Sequence, residues 1–184
     1  DEGGTDNFGY ITKIMLKNPN PNDYFGYSIS TNNTNLIVGA IKNENQPGQA
    51  YLIEYNSTND TWGAVVDSNL TNETSIVRGV DRIEAQGDSF GASVSIKENW
   101  GIIGCYFADT ENNAISNNIN NNTGIAYIIQ NSGEGYWEVR KQILPDDIGT
   151  DDQFGYSVGI NENFGLIGAW RKSLNKSYGG AAYI

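Results

Sequence analysis

Residues 152–160 read Asp-Gln-Phe-Gly-Tyr-Ser-Val-Gly-Ile. Phe154, Tyr156, Val158 and Ile160 alternate with Gly155, Ser157 and Gly159, the period-2 pattern of a β-strand. The second set holds only Gly and Ser. Such a face suits close approach by a neighbouring backbone or sheet rather than solvent. The stretch has two earlier counterparts, Asp23-Tyr-Phe25-Gly26-Tyr-Ser-Ile-Ser and Asp88-Ser-Phe90-Gly91-Ala-Ser-Val-Ser. Phe25, Phe90 and Phe154 are 65 and 64 residues apart.

The flanks repeat as well. Leu36-Ile-Val-Gly-Ala-Ile corresponds to Gly101-Ile-Ile-Gly-Cys-Tyr and Gly165-Leu-Ile-Gly-Ala-Trp. Gln49-Ala-Tyr-Leu-Ile corresponds to Ile125-Ala-Tyr-Ile-Ile and Ala181-Ala-Tyr-Ile. These second and third segments are nearly unbroken apolar runs, which predicts strands buried on both faces. A fourth segment, around Trp62 and Trp137, closes the first two units and carries Arg140, Lys141 and Gln142, as a partly wet outer edge should. Another Asp-x-Phe-Gly, at Asp6 to Gly9, breaks the period. Phe8-Gly-Tyr-Ile-Thr-Lys-Ile-Met-Leu aligns instead with Tyr136-Trp-Glu-Val-Arg-Lys-Gln-Ile-Leu, as the last strand of a unit. The reading is all-β: a single repeat domain of three four-stranded antiparallel, propeller-type units of about 64 residues. Their bounds are approximately 23–80, 88–144 and 152–184, the last completed by strand 8–17.

Asp-x-Phe-Gly-x-Ser-Val, then Ile-Gly-Ala, then Gly-x-Ala-Tyr-Ile, then Trp, resembles the FG-GAP repeats of β-propellers, and is closest to the subgroup without calcium loops. The resemblance covers nearly the whole chain, three times over. Calcium-binding FG-GAP repeats carry Asp-x-Asp-x-Asp-Gly between the first and second strands. Here those stretches read Thr31-Asn-Asn-Thr-Asn, Lys97-Glu-Asn and Asn161-Glu-Asn, too short and too poor in carboxylates to cage calcium. The resemblance therefore carries no metal site with it; an extracellular or surface protein with no cofactor is expected. Propellers have about four to eight blades, and three leave too wide an angle between sheets. The expected partners are therefore further blades or copies of the chain itself. Two copies closing a ring, or strand 9–16 of one copy completing the last unit of the next, would supply them.

Composition narrows function. Net charge is −11, with no Lys/Arg cluster, which argues against nucleic acid and anionic membranes. No apolar run approaches a membrane span. The opening Asp1-Glu2-Gly3-Gly4 has no leader pattern, as in a mature or excised segment. The chain has no His, so His-based triads and zinc sites are excluded within it. No enzyme activity is expected. Asn occupies 25 positions. Seven fit the N-glycosylation pattern: Asn32, Asn56, Asn59, Asn69, Asn72, Asn121 and Asn175, against roughly three by chance. The sequons fall between apolar segments, where glycans are solvated. Asn-rich composition alone also generates sequons.

Asp23, Asp88 and Asp152 precede the Phe-Gly turns. Because they recur, they read as turn carboxylates accepting backbone N–H bonds rather than as a ligand site. The acidic cluster Asp146, Asp147, Asp151 and Asp152 reads as a solvated loop. Cys105 stands where Ala40 and Ala169 stand and reads as a small buried residue. Trp62 and Trp137 are repeat-equivalent and read as packing. Trp170 has no Trp counterpart, and Ala108 to Asn122 is a unique polar insertion. Both are better candidates for contacts with glycans or protein ligands.

Overall fold

A Gly/Ser strand face lets two sheets approach closely, and that approach organises the molecule. The computed structural model describes residues 13–16, 19–41, 48–58, 61–62, 65–66, 69–70, 75–78, 89–109, 122–133, 137–174 and 177–184. Every regular element among them is a strand. The first sheet is built on β1 (Phe25–Thr31), β2 (Asn35–Ala40) and β3 (Gln49–Asn56), an antiparallel meander. β4 (Thr61–Trp62) pairs the far end of β3. β5 (Val65–Val66) and β6 (Asn69–Leu70) form a separate hairpin, and β7 (Ser75–Arg78) pairs the near end of β3. The second sheet is β8 (Ser93–Lys97), β9 (Trp100–Cys105), β10 (Ile125–Asn131) and β11 (Trp137–Ile143) in sequence order. The third is β12 (Phe154–Ile160), β13 (Gly165–Ala169) and β16 (Ala181–Tyr183). In chain order the separate hairpin of β14 (Ser173–Leu174) and β15 (Ser177–Tyr178) falls between β13 and β16.

The repeat predicts four strands per sheet, and two sheets depart from it. In the first, the fourth position is divided between β4 and β7. Trp62 pairs Tyr55 as Trp137 pairs Asn131, and Val77 pairs Ala50 as Ile143 pairs Ala126. The β10–β11 ladder shifts register between Ile128 and Ile129, where one extra residue enters β11. The first unit takes its insertion at the same register, opposite Ile53 and Glu54. A bulge is already an interruption of the ladder, so added chain enters there with least loss of pairing.

In the third sheet, β16 pairs only β13 among the described residues. Residues 13–16 form no ladder with it, and residues 8–12 and 17 of the expected strand lie outside the described residues. Ile14 and Leu16 pack on the first sheet instead, beside Val38, Ala40, Tyr51 and Ile53.

The sheets are stacked by their faces. Ile37, Ala50 and Leu52 of the first sheet meet Phe90, Val94, Ile103, Tyr127 and Ile129 of the second in the largest apolar cluster. Ile102 and Ala126, on the second sheet's other face, meet Phe154, Ile167 and Ala169 of the third. The second sheet is thus covered on both sides. Each of the other two has one face turned away from the stack.

Candidate functional site: the Phe-Gly edge and its aromatic rim

The Phe-Gly turns are built alike. Gly26, Gly91 and Gly155 have φ of +92°, +86° and +87°, a left-handed backbone that disfavours side chains. The preceding Tyr24, Ser89 and Gln153 also have positive φ, at 48°, 52° and 56°. Each Phe ring sits edge-on or tilted against the Tyr of its own third strand, with centroids 5.5 Å apart for Phe25–Tyr51, 5.3 Å for Phe90–Tyr127 and 5.2 Å for Phe154–Tyr183. Asp23 accepts the Asn20 N–H at 2.7 Å, and Asp152 accepts the Gly149 N–H at the same distance. Asp88 lies outside the described residues.

At each internal junction the turn presses on the neighbouring sheet. The Ser28 hydroxyl donates to the Gly91 carbonyl at 2.6 Å, and Ser93 donates to the Gly155 carbonyl at 2.7 Å. Ser30 accepts the Ile96 N–H, and Ser95 accepts the Ile160 N–H, each at 3.1 Å. A Cβ added to Gly39 would lie 1.9 Å from the Gly91 carbonyl oxygen. One on Gly104 would lie 2.0 Å from that of Gly155. The Gly and Ser positions are therefore the contact itself.

An aromatic rim lines the same end of the first strands. Tyr106 packs against Phe107 at 4.3 Å and Tyr156 at 5.2 Å, and Tyr156 continues to Trp170 at 5.3 Å. Trp170 donates its indole N–H to Gln153. Arg171 lies over the rings of Trp170 and Tyr178, at 5.7 and 4.7 Å. Tyr24, Tyr27, Phe107, Tyr156, Trp170 and Tyr178 are exposed. Burial pushes the Tyr106 phenol up to about 12, and its hydrogen bond with Tyr27 adds to the shift.

The acidic loop is organised by a cation from the protein. Buried Lys172 lies 3.0 Å from buried Asp152 and 3.7 Å from Asp147, and also donates to the Asp147 carbonyl. Asp152 further accepts the Ser173 N–H at 2.9 Å. Asp151 accepts a bond from Asn122 at 3.1 Å. Tyr183 donates to Asp147 at 3.2 Å, and burial followed by that carboxylate raises its phenol to about 12. The lysine ammonium thus stands between the Asp147 and Asp152 carboxylates. Nothing in the sequence singled out Lys172, because its partner strand and loop meet only after folding.

Two sequons are described in full. Asn32 is tied into the fold: its Oδ1 accepts the Thr34 and Asn35 N–H groups at 2.9 and 2.8 Å, and its Nδ2 donates to the Glu98 carbonyl of the next sheet at 3.0 Å. Asn56 is exposed; its Oδ1 accepts the Thr58 N–H at 2.9 Å. Of Asn69 only the backbone, in β6, is described. Asn59, Asn72, Asn121 and Asn175 lie outside the described residues, as does most of the insertion. Cys105 is buried in the apolar cluster between the first two sheets, where Trp137 also packs. Trp62 packs on the outward face of the first sheet.

A family model described as FG-GAP repeat matches residues 8–53 and 137–184, together just over half of the chain. Both windows begin before a Phe-Gly turn and reach into the third strand of the sheet that follows it. No curated protein matches the chain.

Proposed function

Because the chain belongs to the FG-GAP repeat family, we propose that it is an extracellular structural or surface protein, with sheets that are β-propeller-type blades and a role carried out through self-association. FG-GAP repeats occur in extracellular and adhesion-type proteins. The observation that carries the reading is the use made of the repeated residues. The Phe-Gly turns and the Ser and Gly faces hold one sheet to the next, at both junctions. A stack built this way ends in two sheet faces, and further units complete it. The strand over residues 9–16 of one copy pairs β16 of the next, adding the fourth strand that the third sheet lacks among the described residues. No catalytic step is assigned.

The experiment is light scattering of the purified chain beside a variant lacking residues 1–16. A dimer or polymer that falls apart on deletion is the expected result. A stable monomer at all concentrations defeats the self-association reading, and a variant that assembles unchanged defeats strand donation.

The protein is N-glycosylated in this reading, and the two described sequons are not equivalent. A glycan on Asn32 would crowd the Nδ2 that donates a hydrogen bond to the Glu98 carbonyl, whereas Asn56 projects into solvent. In a secretory host, Asn56→Gln is expected to lower the mass by one glycan and Asn32→Gln to leave it unchanged. An intact mass showing the reverse refutes the assignment.

A second reading, an adhesion or carbohydrate-binding module, is favoured by the exposed rim of Tyr24, Tyr27, Tyr156 and Trp170. Aromatic faces of this kind stack on apolar faces of sugars or anchor protein contacts. A glycan array on the native chain and on Trp170→Ala tests it. Binding lost with Trp170 supports this reading, and an empty array removes its carbohydrate arm.

A further inference from the structure

The two outward faces of the stack carry the two halves of one junction. The second sheet's Gly91 turn fits against Gly39 and Gly48 of the first sheet, and the third sheet's Gly155 turn fits against Gly104 and Gly124 of the second. The next members of the series are Gly168 and Gly180 on the third sheet and the Gly26 turn on the first. Added Cβ atoms at Gly48 and Gly124 would each lie 2.0 Å from the carbonyl oxygen of the neighbouring Phe. The matching Gly180 meets only its own unit, with Trp170 3.1 Å away. A Cβ on Gly91 or Gly155 would lie 2.5 Å from a carbonyl of the adjacent sheet, and Gly26 has nothing within 4 Å.

Side chains show the same vacancy. Leu166 is 43% exposed, where its counterparts Ile37 and Ile102 are wholly buried. Ile29 is 69% exposed, where Val94 is 8%. Tyr24 is 54% exposed, where Ser89 and Gln153 are 8% and 4%. Ile14 and Leu16 cover the centre of the first sheet's outward face, where Val38, Ala40, Tyr51 and Ile53 are buried, and leave the Gly26 edge open.

We infer that the outward face of the third sheet docks on the Phe25–Gly26 edge of a second copy of this chain, reproducing the internal junctions. This rests on the self-association reading and names its surface. Ser157 donates to the partner copy's Gly26 carbonyl, as Ser28 and Ser93 donate within the chain. Trp170 covers Tyr27 of the partner copy, as Tyr106 covers Tyr156. The contact joins unlike faces, so it closes a ring if the rotation permits and propagates as a filament if it does not. One inter-sheet bond is missing from this junction: Gly159 stands where Ser30 and Ser95 accept an N–H.

That difference gives a test in both directions. Gly159 has an open surround, with nothing within 4 Å of an added Cβ, so replacements there leave the isolated fold intact. Sedimentation equilibrium of the full chain in about 0.15 M salt, where the Debye length is about 8 Å, is the measurement. Gly159→Arg is expected to weaken association at least tenfold. Gly159→Ser supplies the missing acceptor and is expected to tighten it about two- to tenfold. If both variants associate like the parent, docking through this face is overturned while self-association by another route stands. If the parent is monomeric throughout, both readings fall, and the face is left for a repeat of another chain. Should Gly159→Arg fold poorly by circular dichroism, the Gly159→Ser result decides alone: no tightening overturns the inference.

Discussion

At the scale of single residues, the buried charge is the point of greatest consequence. Lys172 and Asp152 are both buried and paired with each other; nearby backbone groups bind both, and the exposed Asp147 carboxylate lies 3.7 Å from the ammonium. Removing the ammonium leaves a buried carboxylate without its counter-ion, which typically costs about 3–5 kcal/mol. Asp152 keeps two backbone N–H donors, so Lys172→Ala is expected at the lower end, about 3 kcal/mol in urea unfolding. A loss below about 0.5 kcal/mol would show that the pair is not a stabilising unit. The phenols give a pH dependence of definite sign. Tyr106 and Tyr183 are raised to about 12 from the usual 10.0. Above pH 10 the unfolded chain releases these protons while the folded chain keeps them. Stability is therefore full below pH 10 and is lost between pH 10 and 12. Tyr106→Phe and Tyr183→Phe are each expected to flatten that loss, and chemical unfolding at pH 9 and pH 11 measures it.

At the scale of elements, the glycines separate contact within a sheet from contact between sheets. Gly104→Ala would drive a methyl into the Gly155 backbone carbonyl, which cannot move without parting two sheets. Overpacking of this kind costs about 1–3 kcal/mol, and a backbone obstacle puts it at the upper end. Gly168→Ala meets only the Ser157 hydroxyl, which can rotate, so less than about 1 kcal/mol is expected from the isolated chain. Equal losses in thermal unfolding would contradict the difference between a packed and an open face. Most of the strands were legible beforehand because period-2 alternation and apolar runs act within a few residues. β7 was not. Ser75-Ile-Val-Arg is short and follows a sequon-rich insertion, so nothing local ties it to Gln49–Leu52.

At the scale of the whole molecule, charge and packing act against each other. A net charge of −11 on each copy opposes association, whereas the open faces favour it. Association is therefore expected to tighten severalfold when salt rises from about 0.05 to 0.5 M, as screening shortens the reach of the repulsion. Association that weakens with salt would point to a charge-driven contact instead. The sequence by itself determined the all-β class, the places of the Phe-Gly turns, the positions of the main strands after them and the role of Gly and Ser as a close-contact face. All of these follow from periodicity and repetition, which are properties of neighbouring residues. Only the tertiary structure decided where Lys172 lands, which of Asn32 and Asn56 stands free, that the first unit's fourth strand is divided, and that Ile14 and Leu16 lie on the first sheet. Each of these depends on residues tens of positions apart meeting across sheets, and the relative placement of two sheets is fixed by packing that no local pattern records.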